Sequence, residues 1–357
     1  MKQTKIFPRL FRPAILPLVV AVLTVLLPVP QARGCTSAVA SYRGTAVQRP
    51  MLWKHRDTGA PGNFIERVPA SHDGEFAFVG LFNDGDSLLT ECWTGMNEVG
   101  FAIMNTASYN LAPDTAAVKD REGIVMALAL RRCRTVADFA AMLDTLPRPM
   151  GVQANFGVID ANGAAAYFET HDHGYTPYYI NVSDDSPKTL LRTNYSFSGN
   201  DSTGMGYIRY DNARHLLGAS IDSCSLTADD FFNASKSYYH SRLERDPLSE
   251  GDSWAVDQDF IPRRISTASI VIQGVAPGQD PSEMTMRVIL GYPPVGDEYT
   301  VTMDNVPDAV RPVDDGFTSP ACNTSNRRKQ NVFPISRGSG KHYINLEYLR
   351  QQLPAAQ

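Results

Sequence analysis

The 357-residue chain carries little net charge and has no strongly basic or acidic character. Its 33 Lys and Arg residues nearly balance 38 Asp and Glu residues, which gives a formal net charge of −5 at pH 7. Proteins that bind nucleic acid or an anionic membrane surface usually show a basic excess, so the composition indicates neither partner. No internal repeat or low-complexity linker is evident, and 43% hydrophobic residues are enough for a well-buried core.

Metal-binding patterns are also scarce. None of the five cysteines forms a C-x-x-C pair, which argues against a structural zinc site. The segment His171-Asp172-His173 offers metal-ligating side chains, but a polar turn before GYTPYY is the favoured interpretation. We therefore expect neither a metal ion nor an organic cofactor.

Long apolar runs are confined to residues 14–28, which follow the basic residues Lys2, Lys5, Arg9 and Arg12. A short basic stretch followed by an apolar one is typical of a secretory signal peptide. No later run approaches the ~18 residues that a membrane span needs. We expect a protein exported to the periplasm or the extracellular space, without a stable membrane span after processing.

The signal peptide ends in the small residues Ala32 and Gly34, which predict cleavage between Gly34 and Cys35. The domain prediction is a signal peptide over 1–34 and a single domain over 35–357. Its core covers about 35–303, with a C-terminal extension over 304–357. The sequence does not decide whether signal peptidase or the protein itself makes the cut.

Five cysteines are an odd number for an exported protein, which suggests one free thiol. If Cys35 is that thiol, the other four could form two disulfides, although spacing cannot decide the pairing. Those four are Cys92, Cys133, Cys224 and Cys322.

The order of local patterns favours segregated layers over a βαβ repeat. Alternating or β-branched segments predict strands at TSAVASY, RPMLWKHRD, FAFVGLF, GFAIMN, ISTASIVIQGV and MTMRVILGY, and a hairpin over ANFGVIDANG and AAAYFET. Helical patterns cover GIVMALALRR, VADFAAMLDTLP after a Thr135 N-cap, YIRYDNARHLLGAS and LTADDFFNASKSYYHSRL. We predict an α+β fold with two sheets between helical layers.

A cysteine at the start of the processed chain combines a nucleophile and a base in one residue. A thiol has an ordinary pKa of about 8.5 and an α-amino group one of about 7.7–8.0. The amine is therefore partly neutral near pH 7 and can accept the thiol proton. Such a site also needs donors for an oxyanion and a charge that tunes the pair.

Four later segments place polar residues in apolar surroundings. They are LWKHRDTG with Lys54, Arg56 and Asp57; GMNEVGFAIMNTASYN with Asn105; LLRTNYSFSG with Asn194; and YIRYDNARHL with Arg209 and Arg214. Each segment alone also fits a solvated turn, a strand end or the wet face of a helix.

Taken in order behind G-C-T-S, these segments resemble the linear-amide branch of the N-terminal-nucleophile hydrolases. That branch includes choloylglycine hydrolase, penicillin V acylase, acid ceramidase-like amidases and the acyl-CoA:6-aminopenicillanic acid acyltransferases of peptidase family C45, which are the most similar. The resemblance covers residues 35 to about 293 and implies a four-layer αββα fold with two antiparallel sheets between helices.

The resemblance also implies roles for individual residues. Cys35 corresponds to the nucleophile, and Asp57 to the aspartate that hydrogen-bonds the amino-terminal residue. Asn105 supplies an oxyanion donor through its backbone or side chain, and Asn194 supplies one through its side-chain amide. Arg209 corresponds best to a late arginine near the nucleophile.

Two positions stay open. The family usually has arginine where this chain has Lys54, and Arg56 adjoins Asp57, so either cation could face the thiolate. Arg214 is the alternative to Arg209.

The expected reaction is cleavage of a linear amide in a small molecule through a thioester on Cys35, with water or a second amine as acceptor. A cysteine dipeptidase of the related branch, which shares a C-T start, is the main alternative. A relative that kept the fold without activity is another.

A lipoprotein binding module is disfavoured, because Ala32 and Arg33 replace the leucine and the small residue of a lipidation signal. The substrate's acyl and amine parts stay open, and so does the oligomeric state, including a homo-oligomer.

Overall fold

The structure, a computed structural model, describes residues 34–180, 187–313, 318–338 and 340–352. The predicted signal peptide therefore lies outside the described residues, except for Gly34. The strands, numbered in chain order, are β1 (Thr36–Ala40), β2 (Met51–Asp57), β3 (Asn63–Val68), β4 (Phe78–Asn83), β5 (Thr94–Asn97), β6 (Ala102–Ala107), β7 (Ala154–Ile159), β8 (Ala165–His171), β9 (Gly174–Tyr179), β10 (Thr189–Arg192), β11 (Trp254–Val256), β12 (Ser266–Gln273), β13 (Thr285–Leu290), β14 (Glu298–Val301), β15 (Ile335–Ser336) and β16 (His342–Asn345). The α-helices are α1 (Glu122–Arg132), α2 (Val136–Thr145), α3 (Tyr207–Asp222), α4 (Ala228–Lys236), α5 (Pro320–Val332) and α6 (Leu346–Gln352). None of these described helices is long and apolar enough to cross a bilayer.

Two large antiparallel sheets dominate the described residues. The first sheet has the strand order β10-β1-β2-β12-β13-β14. The second sheet is a meander in which β3 to β9 pair in chain order. A small third sheet joins β11, β16 and β15 near the C-terminus.

The two large sheets pack face to face. Val39, Leu52 and Ile270 of the first sheet share a buried apolar cluster with Val79 and Met104 of the second. Because successive side chains of a strand point to opposite faces, one face of each sheet is left for another layer.

Helices cover those outer faces. The α2 residue Phe139 packs edge-on against Phe156 and Phe168 of the second sheet, with ring centroids 5.7 and 5.1 Å apart. On the first sheet, Trp53 stacks on Phe231 of α4 at 5.2 Å. The resulting layer order is helix, sheet, sheet, helix, so the predicted α+β fold with an αββα arrangement is confirmed.

Local signals fixed several boundaries as expected. Thr135 caps α2 in a reciprocal capping box with Asp138, and the turn between β7 and β8 contains Gly163 at a φ of +80°. The helix predicted over LTADDFFNASKSYYHSRL is too long: α4 ends at Lys236, where Ser237 turns to extended backbone. Strands β3, β5, β9, β10, β11, β14, β15 and β16 and helices α5 and α6 were not predicted.

The C-terminal segment packs against the core elements. Ser319 donates its backbone N–H to the carbonyl of Asn63, and Ser325 bonds both the N–H and the carbonyl of Tyr292 through its hydroxyl. Lys329 of α5 donates to the carbonyl of Ser266 at the start of β12, 3.0 Å away. Residues beyond 304 therefore support the end of the first sheet that bears Asp57.

A core substitution tests the packing of α2 on the second sheet. Phe139 is fully buried, so Phe139→Ala should lower the free energy of unfolding by about 3–5 kcal/mol through lost apolar contact and a residual cavity. Urea denaturation measures this loss. Leu88→Ala, at a side chain that is 82% exposed, should stay within about 0.5 kcal/mol of the unmodified protein. Equal effects of the two substitutions would contradict the packing.

Candidate active site

Cys35 lies immediately before β1 and lines a cavity of about 770 Å³ to which strands of both large sheets contribute. The residue is 9% exposed, and its Sγ donates a long hydrogen bond of 3.8 Å to the backbone carbonyl of Asp57. The cavity is also lined by Lys54, Arg56, Asp57 and Asn105, whereas the candidate residues Asn194 and Arg209 are not in its lining.

Strand register explains why the two cations share this cavity with the cysteine. Strand β1 pairs with β2 so that Ser37 lies opposite Lys54, which places Arg56 beside Cys35. Paired residues of neighbouring strands point to the same face. Leu52, Lys54 and Arg56 therefore face the second sheet.

Lys54 and Arg209 both interact electrostatically with the Cys35 thiol. Nζ of Lys54 donates to Oδ1 of Asn105 at 2.7 Å and to the carbonyl of Trp93 at 2.5 Å. Complete burial lowers the pKa of Lys54 to about 7, an effect that the Cys35 thiolate partly opposes and the Arg56 charge reinforces. Arg56 lies over the Trp93 ring at 5.3 Å and donates to Asn83, so it belongs to the cavity wall.

Asp57 is held as a carboxylate from three sides. Its Oδ1 accepts from the Ser266 hydroxyl at 2.6 Å, and its Oδ2 accepts from Arg263 through Nε at 3.1 Å and Nη2 at 2.5 Å. His55 Nε2 lies 3.5 Å from Oδ1. Burial would raise the pKa of Asp57, but the Arg263 charge and the His55 hydrogen bond outweigh it and hold that pKa well below its ordinary value.

Arg263 links Asp57 to the bond that precedes Cys35. Its Nη2 also donates to the carbonyl oxygen of Gly34 at 2.9 Å. Gly34 is buried, and a Cβ at this position would lie 2.4 Å from Arg263 Nη2, 2.7 Å from Arg209 Nη2 and 3.0 Å from Asn194 Oδ1. Only glycine fits here without displacing these groups.

Arg209 and Asn194 meet on the other side of residue 35. Arg209, buried on α3, donates from Nη1 to the Cys35 carbonyl at 2.6 Å and from Nη2 to Asn194 Oδ1 at 2.7 Å. Asn194 in turn donates from Nδ2 to the Ala107 carbonyl at 2.8 Å, using one of two amide hydrogens. Burial, followed by the Arg263 charge, lowers the pKa of Arg209 to about 10, so it remains a cation near pH 7.

The alternative to Arg209 lies elsewhere. Arg214 is exposed on α3, whereas Arg209 is buried on the same helix and contacts residue 35 directly. The geometry therefore excludes Arg214 as the arginine beside the nucleophile.

The sequence interpretation missed Arg263, Ser266 and His55. Arg263 and Arg264 form a charged pair before an apolar strand, a pattern that normally marks a solvated turn. Nothing local shows that β12 pairs with β2 and brings Ser266 opposite Asp57. His55 was visible within LWKHRDTG, but only the strand register separates its face from that of Lys54.

The two disulfides considered for the other cysteines are wrong. All five cysteines are free thiols, and Cys92 and Cys322 donate instead to the carbonyls of Thr94 and Pro61. Burial raises the pKa of Cys92 and Cys133 to about 12, which makes both thiols poor nucleophiles. Cys224, at the end of α3, is the half-exposed one.

The segment His171-Asp172-His173 forms the predicted turn between β8 and β9. Asp172 accepts hydrogen bonds from Gly151 at 2.8 Å and from the Thr115 hydroxyl at 2.9 Å. Across the described ranges, no group of three or more His, Cys, Asp or Glu side chains is arranged to hold a metal ion.

Comparisons with known proteins find similarity in structure only. No family model matches the chain, and no curated protein matches its sequence. A Caenorhabditis elegans ortholog of N-acylethanolamine-hydrolyzing acid amidase is similar with a TM-score of 0.44 and 13% identity, over 69% of this chain and 94% of that one. A variant of conjugated bile acid hydrolase from Clostridium perfringens gives 0.44 and 10%, over 76% and 93%. Penicillin V acylase from Agrobacterium tumefaciens gives 0.39 and 12%, over 76% and 87%.

The ion pair between Arg263 and Asp57 can be tested through its pH dependence. Arg263→Met leaves Asp57 buried without its cation, so the free energy of unfolding at pH 7 should fall by about 3–5 kcal/mol. Because the folded-state pKa of Asp57 is depressed, its stabilisation is present above about pH 4 and is lost as the pH falls further. The deficit should therefore shrink at pH 3 in urea titrations.

Arg264→Met is the matched control, because Arg264 is the exposed neighbour of Arg263. This variant should change the unfolding free energy little at either pH. A deficit of the same size for Arg263→Met at pH 7 and pH 3 would contradict the ion pair.

Proposed function

We propose that this chain is an exported hydrolase of linear amides in which Cys35, freed at its amino group, is the nucleophile. The observation that carries the proposal is the position of the Gly34–Cys35 peptide bond. Arg263 holds its Gly34 carbonyl and Arg209 holds the next carbonyl, beside a cavity large enough for a small-molecule ligand. Cleavage of this bond creates the base inside the site where that base is needed.

The reaction we propose is acyl transfer through a thioester. The α-amine of Cys35 accepts the thiol proton, and the sulfur attacks the substrate carbonyl carbon. Asn105 and Asn194 donate to the oxyanion. Lys54 occupies Oδ1 of Asn105, which leaves its amide nitrogen as the donor, and Arg209 occupies Oδ1 of Asn194. Asn194 has one amide hydrogen left, because the other is donated to the Ala107 carbonyl. The ammonium of residue 35 then protonates the leaving amine, and water hydrolyses the thioester.

The charges around Cys35 fit these steps. A protonated Lys54 places a positive charge near the sulfur of Cys35. Asp57 and Arg263 form an ion pair beside the position of the new amine. A second amine in place of water would make the protein an acyltransferase. Cysteine dipeptidase activity is the alternative within the same chemistry.

The lipoprotein interpretation receives no support from the surroundings of Cys35. Its thiol lies in the cavity, and its backbone carbonyl is held by Arg209. A lipid on that sulfur would have to occupy the cavity or pull residue 35 out of its contacts.

Removal of the nucleophile tests the proposal. Cys35→Ala should abolish hydrolysis across a panel of N-acyl amino acids, bile-salt conjugates, penicillins and short peptides, while far-ultraviolet circular dichroism stays unchanged. Iodoacetamide should label Cys35 before the other cysteines in the processed protein. Cys224→Ala is the control, since Cys224 is half-exposed and lines a different cavity. Turnover by a processed Cys35→Ala protein would refute the mechanism.

One substitution tests whether the protein itself or signal peptidase cleaves the Gly34–Cys35 bond. We propose that the folded site makes it: Sγ attacks the Gly34 carbonyl carbon, the residue 35 nitrogen leaves as an amine, and water hydrolyses the Gly34 thioester. Gly34→Ala crowds Arg263 and Arg209, so it should slow cleavage, measured by N-terminal mass spectrometry of purified precursor over time. Signal peptidase accepts alanine before its cut and is absent from the purified precursor. A purified precursor that stays uncut, together with unimpaired processing of Gly34→Ala in cells, would therefore assign the cut to that enzyme.

A further inference from the structure

Glu122 is a buried carboxylate in the cavity lining that does not come from the first sheet. It belongs to the first turn of α1, is 6% exposed, and lines the same cavity as Cys35. Its Oε1 accepts the backbone N–H of Gln153 at 3.0 Å. No Lys, Arg or His side chain in the described part of the chain forms an ion pair with it.

An unpaired buried carboxylate is costly, because its hydration is lost without a compensating cation. Burial is the main cause that raises the pKa of Glu122 to about 7. The backbone hydrogen bonds from Gln153 and from Glu122 itself oppose this shift, and the charges of Asp120 and Asp114 add to it. Lys54 interacts electrostatically with Glu122, but its Nζ is already occupied by Asn105 and the Trp93 carbonyl. A negative charge in the first turn suits the α1 dipole, but the hydrogen bond from Gln153 does not require it, since a neutral amide would also accept.

Two further residues that line the cavity are also acidic. Asp114 and Asp120 also line the cavity, and so does Lys119 between them in the chain. Lys119 donates its Nζ to the backbone carbonyl of Asp114. The cavity thus has a cationic wall on β2 next to Cys35 and an acidic wall at the start of α1, which attracts cationic ligands.

We propose that the amide substrate carries an ammonium group and that Glu122 binds it, a statement that rests on the hydrolase proposed above. An ammonium has three N–H donors and no acceptor, which suits a carboxylate with one oxygen already committed to a backbone N–H. The bound ammonium then forms the ion pair that the buried Glu122 carboxylate otherwise lacks. Glu122 is then the residue that selects substrates by charge, and a substrate that is anionic at this end meets three carboxylates.

Two pairs of amides test the proposal with the processed protein. The first pair is 6-aminohexanoyl p-nitroanilide and its neutral counterpart heptanoyl p-nitroanilide. The second is N-acetyl-1,4-diaminobutane and N-acetylpentylamine, which place the charge on the leaving amine. We expect the ammonium member of at least one pair to have a kcat/KM about 10- to 100-fold higher, as a buried charge-assisted hydrogen bond provides.

Glu122→Gln keeps the acceptor for the Gln153 N–H and removes the charge, so the ratio within the preferred pair should fall to about one. Glu98→Gln is the matched control. Glu98 also accepts a backbone N–H, from Ala77 at 3.0 Å, but it is exposed and does not line the cavity. Glu98→Gln should leave the ratio as it is.

A binding measurement separates failure of this inference from failure of the hydrolase proposal. Pentylammonium should slow the alkylation of Cys35 by iodoacetamide more than 1-pentanol does, and Glu122→Gln should remove that difference. Protection by pentylammonium without hydrolysis of any amide would support Glu122 as a cation site and contradict the hydrolase. Hydrolysis with equal kcat/KM in both pairs, or equal protection by pentylammonium and pentanol, would overturn the role of Glu122.

Discussion

The ion pair between Asp57 and Arg263 is the constraint on which the candidate site depends. Asp57 ends β2 and Arg263 precedes β12. The ion pair therefore joins the ends of two central, paired strands of the first sheet, next to Cys35. A buried carboxylate is tolerated because Arg263, Ser266 and His55 surround it. Since Arg263 also holds the Gly34 carbonyl, the same interaction fixes the strand end and the peptide bond before the cysteine.

Helix α5 reinforces this arrangement from outside the sheet. Lys329 is largely buried, donates to the Ser266 carbonyl and lies over the Tyr292 ring at 5.3 Å. Burial lowers the pKa of Lys329 to about 8, while the negative charges of Asp57 and Asp257 oppose that shift. The C-terminal segment, which the sequence resemblance did not cover, therefore contributes a positive charge behind Asp57.

The fold and about half of the candidate site could be predicted from the sequence. The physical reasons differ between the fold and the site. Strand alternation and capping boxes are local, so β2, β12 and α2 could be located from neighbouring residues alone. Cys35 was found because it follows the predicted signal peptide. Asp57 and Asn194 were assigned from the order of polar segments that resembles the N-terminal-nucleophile hydrolases. Arg263 and Glu122 were missed, since an arginine before a strand and a glutamate in a first helical turn have ordinary local explanations. Their significance comes from contacts with residues far away in the chain.

The lysine at position 54 gives the cavity a property that an arginine would not. A guanidinium stays charged at any pH that proteins encounter, whereas burial brings the pKa of Lys54 to about 7. The pKa of Glu122 is also about 7, but burial raises it to that value, because burial disfavours the charged form of a carboxylate as it does that of an ammonium. The two groups are hydrogen-bonded to separate walls and do not neutralise each other by direct contact. The cavity therefore keeps two opposite charges apart that would be more stable together, and a ligand with charge at one end is the simplest group to relieve that cost.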